Sequence, residues 1–144
     1  MTLVEKATLD KSATKSTLLL IAGDWLVLAL FVLIGQIDHE MVGANPLPRL
    51  LGTTAEIAVP WTILGLLLGA FRYTSDWRGF LGRFAVAWLA AAPLALLLRA
   101  YMNGQAAIIV IFMTITIFVG GGMLLAWRII YWLIRRRRDQ AASR

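Results

Sequence analysis

The sequence predicts an all-α integral membrane protein: a four-transmembrane-helix bundle with both termini on the cytoplasmic side. Three observations predict it. Sixty per cent of the 144 residues are hydrophobic and the mean hydropathy is +0.76, far above a soluble globular chain. The apolar residues gather into four stretches, each long enough for a hydrocarbon core roughly 30 Å thick. The 14 lysines and arginines are also placed asymmetrically: all except Arg49 and Arg99 fall on one side if the spans alternate. Positive charge marks the cytoplasmic face, so that side is inside. A bias this strong also argues against dual topology.

The formal charge of +6 does not point to nucleic acid, because the charges flank apolar spans and orientation accounts for them. The chain has no cysteine, so it has no disulfide, thiolate metal site or thiol catalysis. One domain is the natural count at this length.

Residues 1–16 read as a polar cytoplasmic tail, with Lys6, Lys11 and Lys15 set against Glu5 and Asp10. Span one covers about 17–35 and contains Asp24. It is too long for the apolar core of a cleaved signal and lacks a small-x-small exit. The loop that follows carries Asp38-His39-Glu40 and then Asn45-Pro46-Leu47-Pro48. Two prolines so close together predict an extended, stiff linker rather than a helix. Three adjacent residues converge poorly on one ion, so Asp38-His39-Glu40 reads as a solvated acidic loop and no metal site is expected.

Span two covers about 54–71. Glu56 lies in its first turn, where the helix dipole tolerates an anion. Pro60 comes next, then Gly65 and Gly69 as a GxxxG, which predicts close helix packing. The second loop holds Arg72 and Arg78, with Arg83 just beyond. Span three covers about 80–101 and is rich in alanine. Ala85, Trp88, Ala92, Ala95 and Arg99 share one helical face, and Pro93 predicts a kink. Asn103-Gly104 is the turn signal that follows.

Span four covers about 106–134. At about 1.5 Å per residue it reaches about 40 Å, so it tilts or emerges through the headgroups. Gly120, Gly121 and Gly122 in its middle mean close packing or a hinge. Gly121, Leu124 and Arg128 share a face. The stretch is closed by Arg135 to Arg138, and 135–144 read as a basic cytoplasmic tail. The aromatic residues supply a belt: Trp25, Trp77, Trp127, Tyr131 and Trp132 near the inner interface, Trp61 and Tyr101 near the outer one.

Four ionisable groups lie within or at the edges of the spans. The acids Asp24 and Glu56 are on the first hairpin, the bases Arg99 and Arg128 on the second. Counting rise from the helix ends places Asp24 and Arg128 at matching depth near the inside, and Glu56 and Arg99 near the outside. An isolated mid-span charge costs about 2.5 to 3.5 kcal/mol on insertion scales, so the expectation is two pairs that dock one hairpin on the other. Such groups are also transport candidates by default.

A single histidine excludes bis-histidine haem ligation within the chain, and the lack of a lysine in any span excludes a retinal Schiff base. No cofactor is expected. There is no nucleophile–base arrangement and no phosphate-binding glycine loop, so the chain reads as non-enzymatic.

Taken in order, Gly23-Asp24, Phe31, Ile34-Gly35, Pro60, Gly65, Pro93, Leu98-Arg99 and Trp127-Arg128 resemble a family of small prokaryotic four-span membrane proteins. That family is classed only as a domain of unknown function. The resemblance covers about 18–132 and leaves out both tails; Glu56 ahead of Pro60 departs from its pattern. It implies the fold and a setting in the cytoplasmic membrane, and no established activity. Beyond the lipid bilayer, the expected partners are further copies of the chain or a larger membrane complex, with no nucleic acid. The functional expectation is an accessory or interaction subunit or a structural homo-oligomer. The alternative is a small proton- or ion-coupled transporter or channel titrating at Asp24.

Overall fold

The computed structural model describes residues 3–38, 46–104 and 110–142. These form α1 (Leu3–Asp38), α2 (Pro46–Leu67), α3 (Trp77–Met102), α4 (Val110–Ile115) and α5 (Gly121–Ala142). One π-helical turn, Thr116–Gly120, joins α4 to α5, and the three together make the fourth span. Four segments are long and apolar enough to cross a membrane: Ala13–Asp38, Pro46–Leu67, Trp77–Met102 and Val110–Ala141. The protein is therefore multi-pass. Its outward faces agree, since Leu26, Ile63, Leu67, Val86, Leu97, Ile111 and Phe118 are all exposed. A soluble monomer rarely leaves so continuous an apolar surface open to water.

Several helices outrun their apolar stretches. The polar segment 3–16 is helical and continuous with α1, since no glycine or proline lies between Leu3 and Ala22 to break it. Likewise α5 runs on through Arg135 to Arg138 as far as Ala142. The prolines at 46 and 48 do not make an extended linker; they begin α2. A helix tolerates proline in its first turn, where the missing N–H had no partner anyway. Span two thus starts eight residues earlier than hydropathy alone indicates. His39 and Glu40 of the acidic loop, and residues 106–109 of span four, lie outside the described residues.

Chain reversals are chemically specified. After α2, the Ala70 N–H donates to Gly65 C=O (2.7 Å) and the Gly69 N–H to Leu66 C=O (3.2 Å). Gly69 has φ +69°. This is a Schellman ending, in which the residue after the cap takes the left-handed conformation that glycine adopts without strain. The GxxxG is therefore not a helix–helix seam. Gly69 lies beyond the helix, and Gly65 admits the ring of Phe71 from the turn of its own hairpin. Asp76 then caps α3, its carboxylate accepting from the Arg78 N–H (3.1 Å) and the Gly79 N–H (2.9 Å).

In the bundle α2 packs on both α1 and α3, and α5 packs on α1 and α3. Small residues set the close approaches. Gly23 of α1 lies flat against the indole of Trp127, and Gly121 against that of Trp88. The buried face of α3 runs through Phe84, Ala87, Trp88, Ala91, Ala92 and Ala95. Ala85 is exposed, so it falls off the packed face predicted for it.

Candidate functional site: a caged ion pair

All four spans converge on one guanidinium. Asp24 of α1 and Arg128 of α5 both have 0% exposure, and Arg128 Nη2 donates to Asp24 Oδ2 at 2.6 Å. The depth match predicted from the sequence is what brings them together. The same oxygen accepts from Trp61 Nε1 at 2.8 Å. Trp61 thus belongs to the core of α2 and not to an outer aromatic belt; its N–H needs a buried acceptor, and Asp24 supplies one. The Trp127 indole N–H lies beside the same carboxylate without forming a regular hydrogen bond.

Arg128 has two further sets of contacts. Its Nη1 donates to the backbone carbonyl of Ala70, which the Schellman turn exposes. Its guanidinium carbon lies 5.3 Å from the ring centre of Trp61, 4.9 Å from Phe71, 5.8 Å from Phe80 and 5.3 Å from Phe84. Each ring presents a negative π-face, so the cage is a second, diffuse counter-charge around the cation. The rings also brace one another: Trp61 meets Phe84 and Trp88 edge-on at 5.7 and 5.5 Å. Arg128 is therefore held by a carboxylate from α1, a carbonyl from the α2–α3 turn and rings from α2, that turn and α3.

The second pair, Arg99 of α3 with Glu56 of α2, forms as the sequence predicts. It differs in setting, because the two side chains remain 28% and 19% exposed. Arg99 also stacks on Phe112 at 5.6 Å. Gly120 and Gly121 lie where the indole of Trp88 meets the fourth span. That indole donates to the Ile117 carbonyl at 3.1 Å, inside the π turn. A π turn widens the helix by one residue, and here Trp88 takes up a carbonyl of the widened turn.

At the end carrying Arg135, α5 is tied to the α2–α3 turn. Trp132 Nε1 donates to the Thr74 carbonyl (3.2 Å), and the Tyr73 hydroxyl donates to Asp139 (3.1 Å). Partial burial, followed by this bond to Asp139, raises the Tyr73 phenol above its usual range. The sequence reading found both acid–base pairs but not Trp61, Phe71, Phe80, Phe84, Trp127 or the Ala70 carbonyl.

The family described as "Protein of unknown function (DUF3054)" matches residues 21–131. No curated protein and no solved structure matches the chain. The matched segment contains every residue of the caged pair and both partners of the second.

Proposed function

The chain belongs to this family of unknown function, and from its caged ion pair we propose that it works as a non-enzymatic membrane protein, an accessory or interaction subunit or a structural homo-oligomer. On this reading it sits in the cytoplasmic membrane of a prokaryotic cell with both termini in the cytoplasm, an orientation supported by the arginine bias. The observation that carries the reading is the enclosure of Asp24 and Arg128, neither of which has accessible surface. A group that passes a proton or ion across a membrane must meet water at some stage of its cycle. Asp24 meets only protein, and its charge is already matched. The pair then serves to hold the hairpins in register, leaving the long outward faces to meet lipid, further copies or another membrane protein.

The test is the mass of the protein extracted with surrounding lipid from cells at native abundance. A homo-oligomer or a defined complex well above 15.9 kDa is expected. A lone monomer under every mild extraction overturns the reading.

A second reading, proton- or ion-coupled transport through Asp24, is favoured by two features. Asp24 Oδ1 has no hydrogen-bond partner among the described residues, and the fourth span carries a π turn, a feature frequent at functional sites. Proteoliposomes separate the two. On the scaffold reading, neither wild type nor Asp24→Asn conducts protons or alkali cations. Flux in the wild type that disappears in a folded Asp24→Asn variant establishes transport instead.

A further inference from the structure

We propose that a groove between α3 and α5, at the arginine-rich end of the bundle, binds an anionic glycerophospholipid from the adjoining leaflet. The groove is lined by Trp77 and Leu81 of α3 and by Ile129, Trp132 and Leu133 of α5. Trp77 and Leu81 are one turn apart, as are Ile129 and Leu133, so the two helices present parallel apolar walls. The lining is wholly apolar, which suits acyl methylenes and offers nothing to a polar solute. Trp77, Ile129 and Leu133 are themselves exposed, so the groove is continuous with the surface that faces lipid.

Charge selects the headgroup. The Arg78 guanidinium lies 5.6 Å from the ring of Trp77, and that of Arg136 lies 5.0 Å from the ring of Trp132. Two cations are thus parked on two of the groove's own aromatic walls. Among the described residues the ion pairs are Arg99–Glu56 and Arg128–Asp24, so neither Arg78 nor Arg136 forms an ion pair with a described acid. Asp76, which caps α3, and Asp139, which accepts from Tyr73, are not in ion-pair contact with either arginine. A phosphodiester at the mouth of the groove is the headgroup chemistry that takes charge-assisted hydrogen bonds from guanidiniums held on the groove's tryptophans. A zwitterionic headgroup brings its own cation toward the same arginines and is disfavoured. The occupant that matches an apolar groove opening into lipid, with an arginine stacked on each of its two tryptophans, is an anionic lipid.

The test uses the full chain in nanodiscs of equal parts dioleoyl phosphatidylglycerol and dioleoyl phosphatidylcholine, with retained lipid read by native mass spectrometry. At a factor of about five per guanidinium, the wild type is expected to retain the anionic lipid about 25-fold over the zwitterionic one. The Arg78→Gln/Arg136→Gln variant is expected to fall to parity with an unchanged thermal melt. Arg137→Gln/Arg138→Gln removes equal charge from arginines that cover no groove wall, and is expected to keep the preference. Parity in the wild type overturns the proposal. An equal loss in both double variants also overturns it, by reducing the effect to general attraction. A chain dimer retaining no lipid assigns the groove to a second copy, and likewise overturns it.

Discussion

Replacing Asp24 by asparagine isolates the charge of the buried pair from its shape. The asparagine carbonyl can still accept from Trp61 Nε1 and Arg128 Nη2, so both hydrogen bonds at Oδ2 keep an acceptor. What is lost is the anion opposite a guanidinium that cannot shed its proton. Removing one partner of a buried pair costs about 3 to 5 kcal/mol, because a bare charge remains. Here Arg128 is not wholly bare. Four rings stand within 5.8 Å and the Ala70 carbonyl accepts one N–H. The rings and the carbonyl surround the cation in wild type and variant alike, so they soften the exposure of the bare charge without replacing the anion. The expected loss lies near the lower end, about 3 kcal/mol. Arg128→Met added to Asp24→Asn removes the remaining charge and fills the cage with a side chain that packs well on aromatics. Two groups are left unpaired in the double variant: the Ala70 C=O, and the NH2 of the introduced amide, which takes the place of Oδ1, an atom without a hydrogen-bond partner among the described residues. The expected deficit is therefore about 2 to 3 kcal/mol, still below the sum of the two single losses. The assay is a double-mutant cycle of reversible unfolding in mixed detergent–lipid micelles, followed by tryptophan fluorescence. Asp24→Asn within about 0.5 kcal/mol of wild type refutes the reasoning, as does a double variant as unstable as the sum of the two single ones.

The remaining predictions probe the frame around the cage. Gly23→Ala and Gly121→Ala each force a methyl into an indole and are expected to cost about 1 to 3 kcal/mol in the same unfolding assay. Gly122 has open space around its Cα, so Gly122→Ala is expected to be neutral or to stabilise by up to about 1 kcal/mol. Gly69→Ala strains the left-handed position at φ +69° and is expected to lower stability by about 1 to 2 kcal/mol. Glu56→Gln breaks a partly exposed pair, and a loss of no more than about 1 kcal/mol is expected in the same titration.

The two acid–base pairs were legible because depth in a membrane helix is a matter of counting residues, and each charge had one counter-charge at its level. The cage around Arg128 was not. Its rings come from α2, the α2–α3 turn and α3, and nothing in the spacing of Phe71, Phe80 and Phe84 states that a turn delivers the first beside the other two. Trp61 was misplaced for a related reason. A tryptophan in a span prefers an interface only when no buried acceptor is at hand, and Asp24 is a contact 37 residues away in sequence. Gly65 and Gly69 carry a packing pattern, yet Gly69 is needed where the chain reverses, and a left-handed residue outweighs a weak four-residue motif. Helix ends were displaced because hydropathy marks where lipid ends, whereas the helix stops only where a breaker stands. None stands between Leu3 and Ala22, and none follows Gly122 before Ala142.

The two pairs are unlike in what they can do for the fold. Glu56 and Arg99 lie partly exposed at the bundle surface, so their long side chains can follow a small shift of α2 against α3 and keep the pair. Asp24 and Arg128 have no such alternative. Sliding α1 or α5 by one residue moves a charge by about 1.5 Å along the axis and turns it about 100° away from its partner. It would then face rings or lipid with no counter-charge. The same slide would drive Trp127 off Gly23, the position on α1 where its indole has room. A buried pair is weak evidence for stability in itself, and its better attested use is to fix a register. The Trp88–Ile117, Trp132–Thr74 and Tyr73–Asp139 hydrogen bonds add to the same selection. The caged pair, however, is fully buried and the two glycine–indole contacts leave no room for a Cβ, so these penalise a one-residue slide the most.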